Sequence, residues 1–220
     1  LYRFYRAGDE ETLALRGVSL RVDTAQILAV TGPSGSGKST LLNCLAGLDE
    51  PDGGMVRLLG MPLSHQPEAD RARLRARHLG VLLQTRNLVP HLNLADNITL
   101  AQGAARSPGW RARRHDHPPV PARDLLGSVG LAHRASEIPA HLSGGELARA
   151  SLAVALANQP AVLLADEPTG ELDGDTERQV LQLLRDRAAA GTAIVVVTHS
   201  DRVTGIADRV VELHDGQLAA

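Results

Sequence analysis

Nine consecutive residues, Gly32-Pro33-Ser34-Gly35-Ser36-Gly37-Lys38-Ser39-Thr40, constrain the fold of this chain more than any other stretch. They satisfy the pattern G-x-x-x-x-G-K-[ST]. The flanks agree with it. Ile27, Leu28, Ala29 and Val30 form the apolar run of a buried strand, and Leu41, Leu42, Leu45 and Ala46 follow at helical spacing. Strand, glycine-rich turn and helix in that order predict an α/β fold with a phosphate cradle. The glycines let backbone N–H groups turn inward around a phosphate chain, and a helix starting near Lys38 adds its positive end. Lys38 can reach the β- and γ-phosphates, and the Ser39 hydroxyl can ligate Mg²⁺.

At 220 residues the chain has room for one large domain, or a domain plus a small subdomain. Lys and Arg number 23 against 25 Asp and Glu, so the formal charge is −2 and nothing global argues for nucleic acid or an anionic surface. A lone cysteine, Cys44, excludes an internal disulfide and reads as a core residue. No apolar run approaches the about 18 residues that cross a membrane, and no signal peptide is visible. The expected compartment is the cytoplasm. The chain begins at Leu1, so a few N-terminal residues are expected to precede it.

Three of only four aromatic residues, Tyr2, Phe4 and Tyr5, open the chain. An extended strand puts Tyr2 and Phe4 on one face and Tyr5 on the other. All three can pack on a sheet, or Tyr5 can offer its ring to a base. Residues 18–22 alternate as a half-buried strand, and 55–59 read as another after the turn Pro51-Asp52-Gly53-Gly54. Residues 67–77 are helical, with arginines at 71, 73, 75 and 77 spread around a solvated helix. Residues 106–121 read as an exposed loop. Its His115 and His117 lack a cysteine to support a metal site, and its single Trp110 is a poor stacking platform. Helices are expected over 146–157 and 175–189, and a hairpin over 209–218 that turns at Asp215-Gly216.

Four apolar strands hand over to polar groups at their carboxyl ends. Residues 27–31 lead into the phosphate loop, 79–83 to Gln84, 161–165 to Asp166 and Glu167, and 193–198 to His199. In open parallel α/β sheets, ligands bind outside those ends. The loop, an amide, two carboxylates and a histidine are therefore expected around one phosphate site. Asp166 suits Mg²⁺, with Ser39, and Gln84 can offer its amide oxygen to Mg²⁺ or to the attacking water. Glu167 can polarise an attacking water. His199 can touch the γ-phosphate or position that water.

These residues resemble the nucleotide-binding subunit of ABC transporters. Leu142-Ser143-Gly144-Gly145-Glu146 resembles the family's signature motif. Residues 163–170 resemble its Walker B, Glu171-Leu172-Asp173 its D-loop, and Gln84 and His199 its Q-loop and switch histidine. The resemblance implies a P-loop ABC ATPase fold over 1–220, with a mixed-sheet core (1–84 and 158–220) and a helical subdomain (85–157). It places Tyr5 at the adenine-stacking position. It implies ATP and Mg²⁺ as ligands, and a homodimer in which Ser143, Gly144, Gly145 and Glu146 reach the partner's ATP. A membrane permease is the implied partner. Membrane contact comes only through it, on the cytoplasmic face, without direct nucleic-acid binding. Residues 142–146, Glu167-Pro168-Thr169-Gly170 and Asn87-Leu88-Val89-Pro90 are most similar to the lipoprotein-release and macrolide-export branch, which implies a lipid-linked or amphipathic substrate. Cell-division and import complexes, a non-transport clamp and a regulatory ATP-binding module are the alternatives. The chain departs from the pattern at Leu147, Ala148, Val154, Glu171 and Ser200, which bears on dimer coupling and turnover.

Overall fold

A computed structural model describes residues 1–7, 10–83, 87–105, 119–170 and 172–219. The expectations placed on Gln84, Glu171, Trp110, His115 and His117 lie outside the described residues. In chain order the strands and helices are β1 (Tyr2–Ala7), β2 (Glu10–Arg16), β3 (Ile27–Thr31), α1 (Lys38–Leu45), β4 (Arg57–Leu58), β5 (Met61–Pro62), α2 (Glu68–His78), β6 (Leu79–Leu82) and α3 (Leu94–Ala104). They continue with α4 (Ala122–Ser128), α5 (Gly144–Ala155), β7 (Val162–Asp166), α6 (Gly174–Ala189), β8 (Ala193–Val197), α7 (Asp201–Thr204), β9 (Arg209–His214) and β10 (Gln217–Leu218).

The main sheet runs β10-β9-β3-β8-β7-β6. All neighbours pair parallel except β10, which folds back antiparallel on β9, so the sheet is mixed. Its central strands β3, β7 and β8 are apolar up to the polar ends of β3 and β7, because both faces are covered. Leu28, Val30, Leu164, Val195 and Val197 pack with Leu41 and Leu42 of α1 in one core. The alternate residues Leu163, Ala165, Ile194 and Val196 pack with Val180 and Leu184 of α6 in a second core. A third core joins α3, α4 and α5 through Ile98, Leu126 and Ala153. Cys44 is fully buried, and that burial, with the nearby Asp49 charge, pushes its thiol up to about 11, which leaves it an inert core residue at neutral pH.

Several expectations are corrected. Residues 18–22 form no strand: β8 and β9 occupy both edges of β3, so no ladder position is left for them. Their alternation reports burial instead, with Val18 in the first core and Leu20 and Val22 against it. The strand of that region is β2, which ends at Gly17 (φ 79) and pairs with β1. The strand expected over 55–59 shrinks to Arg57–Leu58. A bulge between Arg3 and Phe4 breaks the simple alternation of β1, and Tyr2, Phe4 and Tyr5 are all substantially exposed rather than packed on a sheet. The arginines of α2 are not all solvated: Arg71 and Arg75 both pair with Glu68, and Arg71 also with Glu50.

Candidate functional site

The phosphate loop is shaped by what surrounds it. Gly37 has φ 102, and a Cβ there would lie 2.4 Å from the Ala14 carbonyl oxygen of β2. Gly32 has φ 136, and its Cβ would lie 2.1 Å from the Leu213 carbonyl oxygen of β9. Only glycine fits between these two strands at those angles. Ser36 and Gly216 tie the loop to the β9–β10 turn by a 3.0 Å backbone bond. Pro33, Ser34 and Gly35 form the exposed rim. No side chain caps α1, so the N–H groups of its first turn, from Lys38 through Thr40, remain open to an anion. The Ser36 hydroxyl is buried without a hydrogen-bond partner among the described residues. Lys38 is 8% exposed, and its ammonium donates to the carbonyls of Gly32 and Pro33 at 2.8 Å each. Open amides, an unpartnered hydroxyl and a buried ammonium together suit a phosphate chain.

The two carboxylates expected beside the loop arrive at the end of β7. The Ser39 hydroxyl donates to Asp166 Oδ2 at 3.2 Å. Burial pushes the Asp166 carboxyl up, opposed by the Ser39 hydrogen bond and the Lys38 charge. A hydroxyl and a half-buried carboxylate side by side are hard oxygen donors that fit Mg²⁺. Among the described residues no group of three or more His, Cys, Asp or Glu could hold a metal, so the remaining ligands of such an ion would be phosphate oxygens and water.

Glu167 sits at φ 47, in the left-handed region, with its N–H bonded to the Val197 carbonyl at 2.9 Å. This strained backbone turns its side chain across the sheet edge toward β8. Thr198 donates to Glu167 Oε2 at 3.2 Å. Among the described residues Glu167 Oε1 is buried with no hydrogen bond, 3.8 Å from His199 Nε2. Asp166, Glu167 and His199 line a cavity of about 780 Å³, together with Gly144, Leu147 and Ala148 of α5.

Ser143 caps α5 in a reciprocal box: Glu146 N–H donates to the Ser143 hydroxyl at 3.3 Å, and Ser143 N–H to the Glu146 carboxylate at 2.9 Å. Glu146 also pairs with Arg134, so its carboxylate is committed locally. Gly145 leaves a gap that the Thr176 methyl group fills, 3.5 Å from where a Cβ would stand. Asp173 caps α6, accepting from the N–H groups of Asp175 and Thr176 at 3.0 Å; the Thr176 amide first of all holds its carboxyl below the usual range.

At the other end of the loop, Tyr5 donates to Asp49 at 2.5 Å, and Arg3 lies over its ring, 4.8 Å from the centroid. Thr40 of α1 also reaches the Tyr5 hydroxyl. One ring face is thus occupied by Arg3.

This arrangement has counterparts. The family profile described as ABC transporter matches residues 15–170. The chain belongs to the ABC transporter family, as one of its ATPase cassettes. The cassette is 41% identical to the macrolide export ATP-binding/permease protein MacB of Burkholderia pseudomallei, over 98% of this chain and 32% of that protein. It therefore spans about a third of that relative's length. It is also 41% identical to the lipoprotein-releasing system ATP-binding protein LolD of Paramagnetospirillum magneticum, over 98% of this chain and 93% of that protein. A dimeric post-hydrolysis ATP-binding cassette bound to ADP and Pi superposes with a TM-score of 0.89 at 32% identity, covering 100% of this chain and 94% of that one. The ABC ATPase fold expected from the sequence is confirmed by that likeness.

The cassette's departures have definite surroundings. Leu147 and Ala148 line the cavity, Val154 packs on the third core, and the Ser200 hydroxyl donates to Glu177. Sequence reasoning passed over Arg3, Asp49, Thr198 and Glu177. Thr198 adjoins His199 and Arg3 nearly adjoins Tyr5, so both could have been suspected; Asp49 and Glu177 carry no local signal, because Arg3 and Ser200 lie 46 and 23 positions away from them.

Proposed function

We propose that this ABC ATPase powers export or extraction of a lipid-linked or amphipathic substrate through a separate membrane permease. The correspondence with an ATP-binding protein of a lipoprotein-releasing system, over 98% of this chain and 93% of that protein, supports the branch. No helix among the described residues is long and apolar enough to cross a membrane. We place the protein on the cytoplasmic face, held there by the permease, and assign 85–157 as the helical subdomain that moves against the core.

The observation that carries the mechanism is Glu167 Oε1, buried and unpaired in the cavity beside the Ser39–Asp166 pair. There it can accept a proton from a water molecule while His199 steadies that water or the γ-phosphate. The water oxygen attacks the γ-phosphorus, and the bond to the bridging oxygen breaks with its electron pair leaving on ADP. Mg²⁺, when held by Ser39 and Asp166 with phosphate oxygens, supplies charge neutralisation. Lys38 and the open amides of α1 orient the phosphates, so most of the rate comes from positioning and electrostatics. Ser143, Gly144 and Gly145 complete the site of a second copy across an ATP-bridged homodimer, with Asp173 beside them. Glu146 acts there through the capping box.

Purification of the tagged protein from its native membranes should bring a multi-helix membrane protein with it, and that complex should hydrolyse ATP faster than the isolated chain. Recovery with cytosolic or ribosomal partners alone would move the protein to a non-transport clamp. A second reading, a module that binds ATP and barely turns it over, is favoured by Leu147 and Ala148 in the cavity lining; a complex with no stimulated turnover would select it.

Tyr5 is assigned to adenine, which would stack on the ring face opposite Arg3. Tyr5→Ala is expected to weaken ATP binding by about 1–3 kcal/mol, the range for a base on an aromatic ring. Isothermal titration with ATP measures it, and equal affinity in mutant and parent would leave Tyr5 only its contacts to Asp49 and Arg3.

A further inference from the structure

We propose that Glu177 is a positioning residue for hydrolysis, holding the loop that carries His199 and, through it, the Glu167 carboxylate. The inference rests on the reading of Glu167 and His199 as the hydrolytic pair. Glu177 lies in the first turn of α6, and its side chain is only 12% exposed. Its Oε1 accepts from the Ser200 hydroxyl at 3.1 Å, and its Oε2 from Arg202 at 2.6 Å. The Ser200 N–H donates to the Thr198 hydroxyl oxygen at 2.9 Å, and that hydroxyl donates to Glu167 Oε2 at 3.2 Å. An unbroken chain of hydrogen bonds therefore runs from α6 to Glu167.

His199 sits inside that chain, between Thr198 and Ser200. Its ring is more than half exposed, and among the described residues the 3.8 Å approach to Glu167 is the one polar contact that orients it. Its place is set by the tied backbone on either side. Ser200 stands where the family resemblance expects aspartate. A serine hydroxyl there is a donor that needs an acceptor, and Glu177 reaches across from another helix to supply one. The same turn of α6 is anchored to the signature helix, because Arg149 donates to the Thr176 hydroxyl at 3.3 Å and that hydroxyl donates to Asp173 at 2.7 Å. Glu177 thus bears on a fixed support. An ordinary half-exposed ion pair with Arg202 would contribute little to stability and nothing to catalysis.

The test is steady-state phosphate release by the purified protein with ATP and Mg²⁺, alongside ATP-binding titrations and thermal melts. Glu177→Ala should lower kcat about 10- to 100-fold, the cost of misplacing reacting groups by about an ångström. KM and ATP affinity should stay within about twofold, since the lost interaction acts on the transition state. Glu177→Gln should restore most of kcat, because its amide oxygen still accepts from Ser200. Ser200→Ala should lower kcat to a similar degree, and the double variant should fall no further, because both residues act through one chain. Parental kcat in Glu177→Ala, or effects of the two single changes that multiply, would overturn the proposal. If Glu177→Ala does not fold, Ser200→Ala decides: parental kcat there overturns it equally. Glu167→Gln separates the two readings. If that variant keeps the parental rate, the hydrolytic assignment itself fails; if it is inactive while Glu177→Ala turns over normally, only the role of Glu177 fails.

Discussion

Lys38→Ala is expected to abolish productive ATP binding. Lys38 is the only lysine in the chain, so no neighbouring ammonium can take its place. Its charge is buried and held at the mouth of the loop by the carbonyls of Gly32 and Pro33. The alanine variant removes a positive side chain that can reach the β- and γ-phosphates and takes the ammonium donor from both carbonyls, leaving Pro33 only its 3.2 Å bond from the Ser36 N–H. Truncating one member of a buried charge pair costs about 2–5 kcal/mol, so ATP affinity should fall by at least about 30-fold. Turnover should fall with it. Lys38→Met keeps the aliphatic stem that packs in the loop, and should lose ATP just as the alanine variant does while melting closer to the parent. Filter binding and phosphate release read both. Unchanged affinity and turnover in a folded Lys38→Ala protein would remove residues 32–40 from the nucleotide site.

Glu167→Gln is expected to trap an ATP-bound dimer. The amide keeps the size of the side chain and can still accept from Thr198, so the strained turn at φ 47 is retained. What disappears is the unpaired carboxylate oxygen that faces His199. Loss of a general base is worth about 10²–10⁴ in rate. The Ser39–Asp166 pair is untouched, so ATP and Mg²⁺ should still bind. One negative charge is also removed from beside the triphosphate, which favours the bound state. Because hydrolysis is what opens the dimer in this mechanism, the complex should persist. Ser143→Arg in the same protein should undo it, by placing bulk at the start of α5 where the partner's phosphates would lie. Size-exclusion with light scattering, with and without ATP·Mg²⁺, measures the outcome. A Glu167→Gln protein that binds ATP yet stays monomeric, or that hydrolyses at the parental rate, would refute the shared site.

Much of the site was legible because its signals are local. The loop pattern occupies nine residues, and Asp166, Glu167 and His199 each follow directly on an apolar run. Continuous apolarity marks a strand buried on both faces, and the two cores on either side of β3, β7 and β8 bear this out. Ser143 and Glu146 stand at capping-box spacing, which also sets the start of α5.

What failed was non-local. Residues 18–22 alternate like a strand, but alternation reports which side chains are buried, not whether a ladder partner is available, and β8 and β9 had already taken both edges of β3. The exposure pattern of β9 gives no hint that it runs parallel beside β3 in the central sheet.

The sequence by itself determined the phosphate loop, the family, the apolar strands and the order in which their polar ends appear. Its information there is carried by spacing of a few residues, which helix and strand geometry convert directly into position. The tertiary structure alone decided why Gly32 and Gly37 must be glycine, since Leu213 and Ala14 press on them from distant strands. It alone brought Arg3 to Asp49 from 46 positions away, and Glu177 to Ser200 from 23 positions away. Those contacts depend on how whole elements pack against one another, and no local pattern encodes a packing partner.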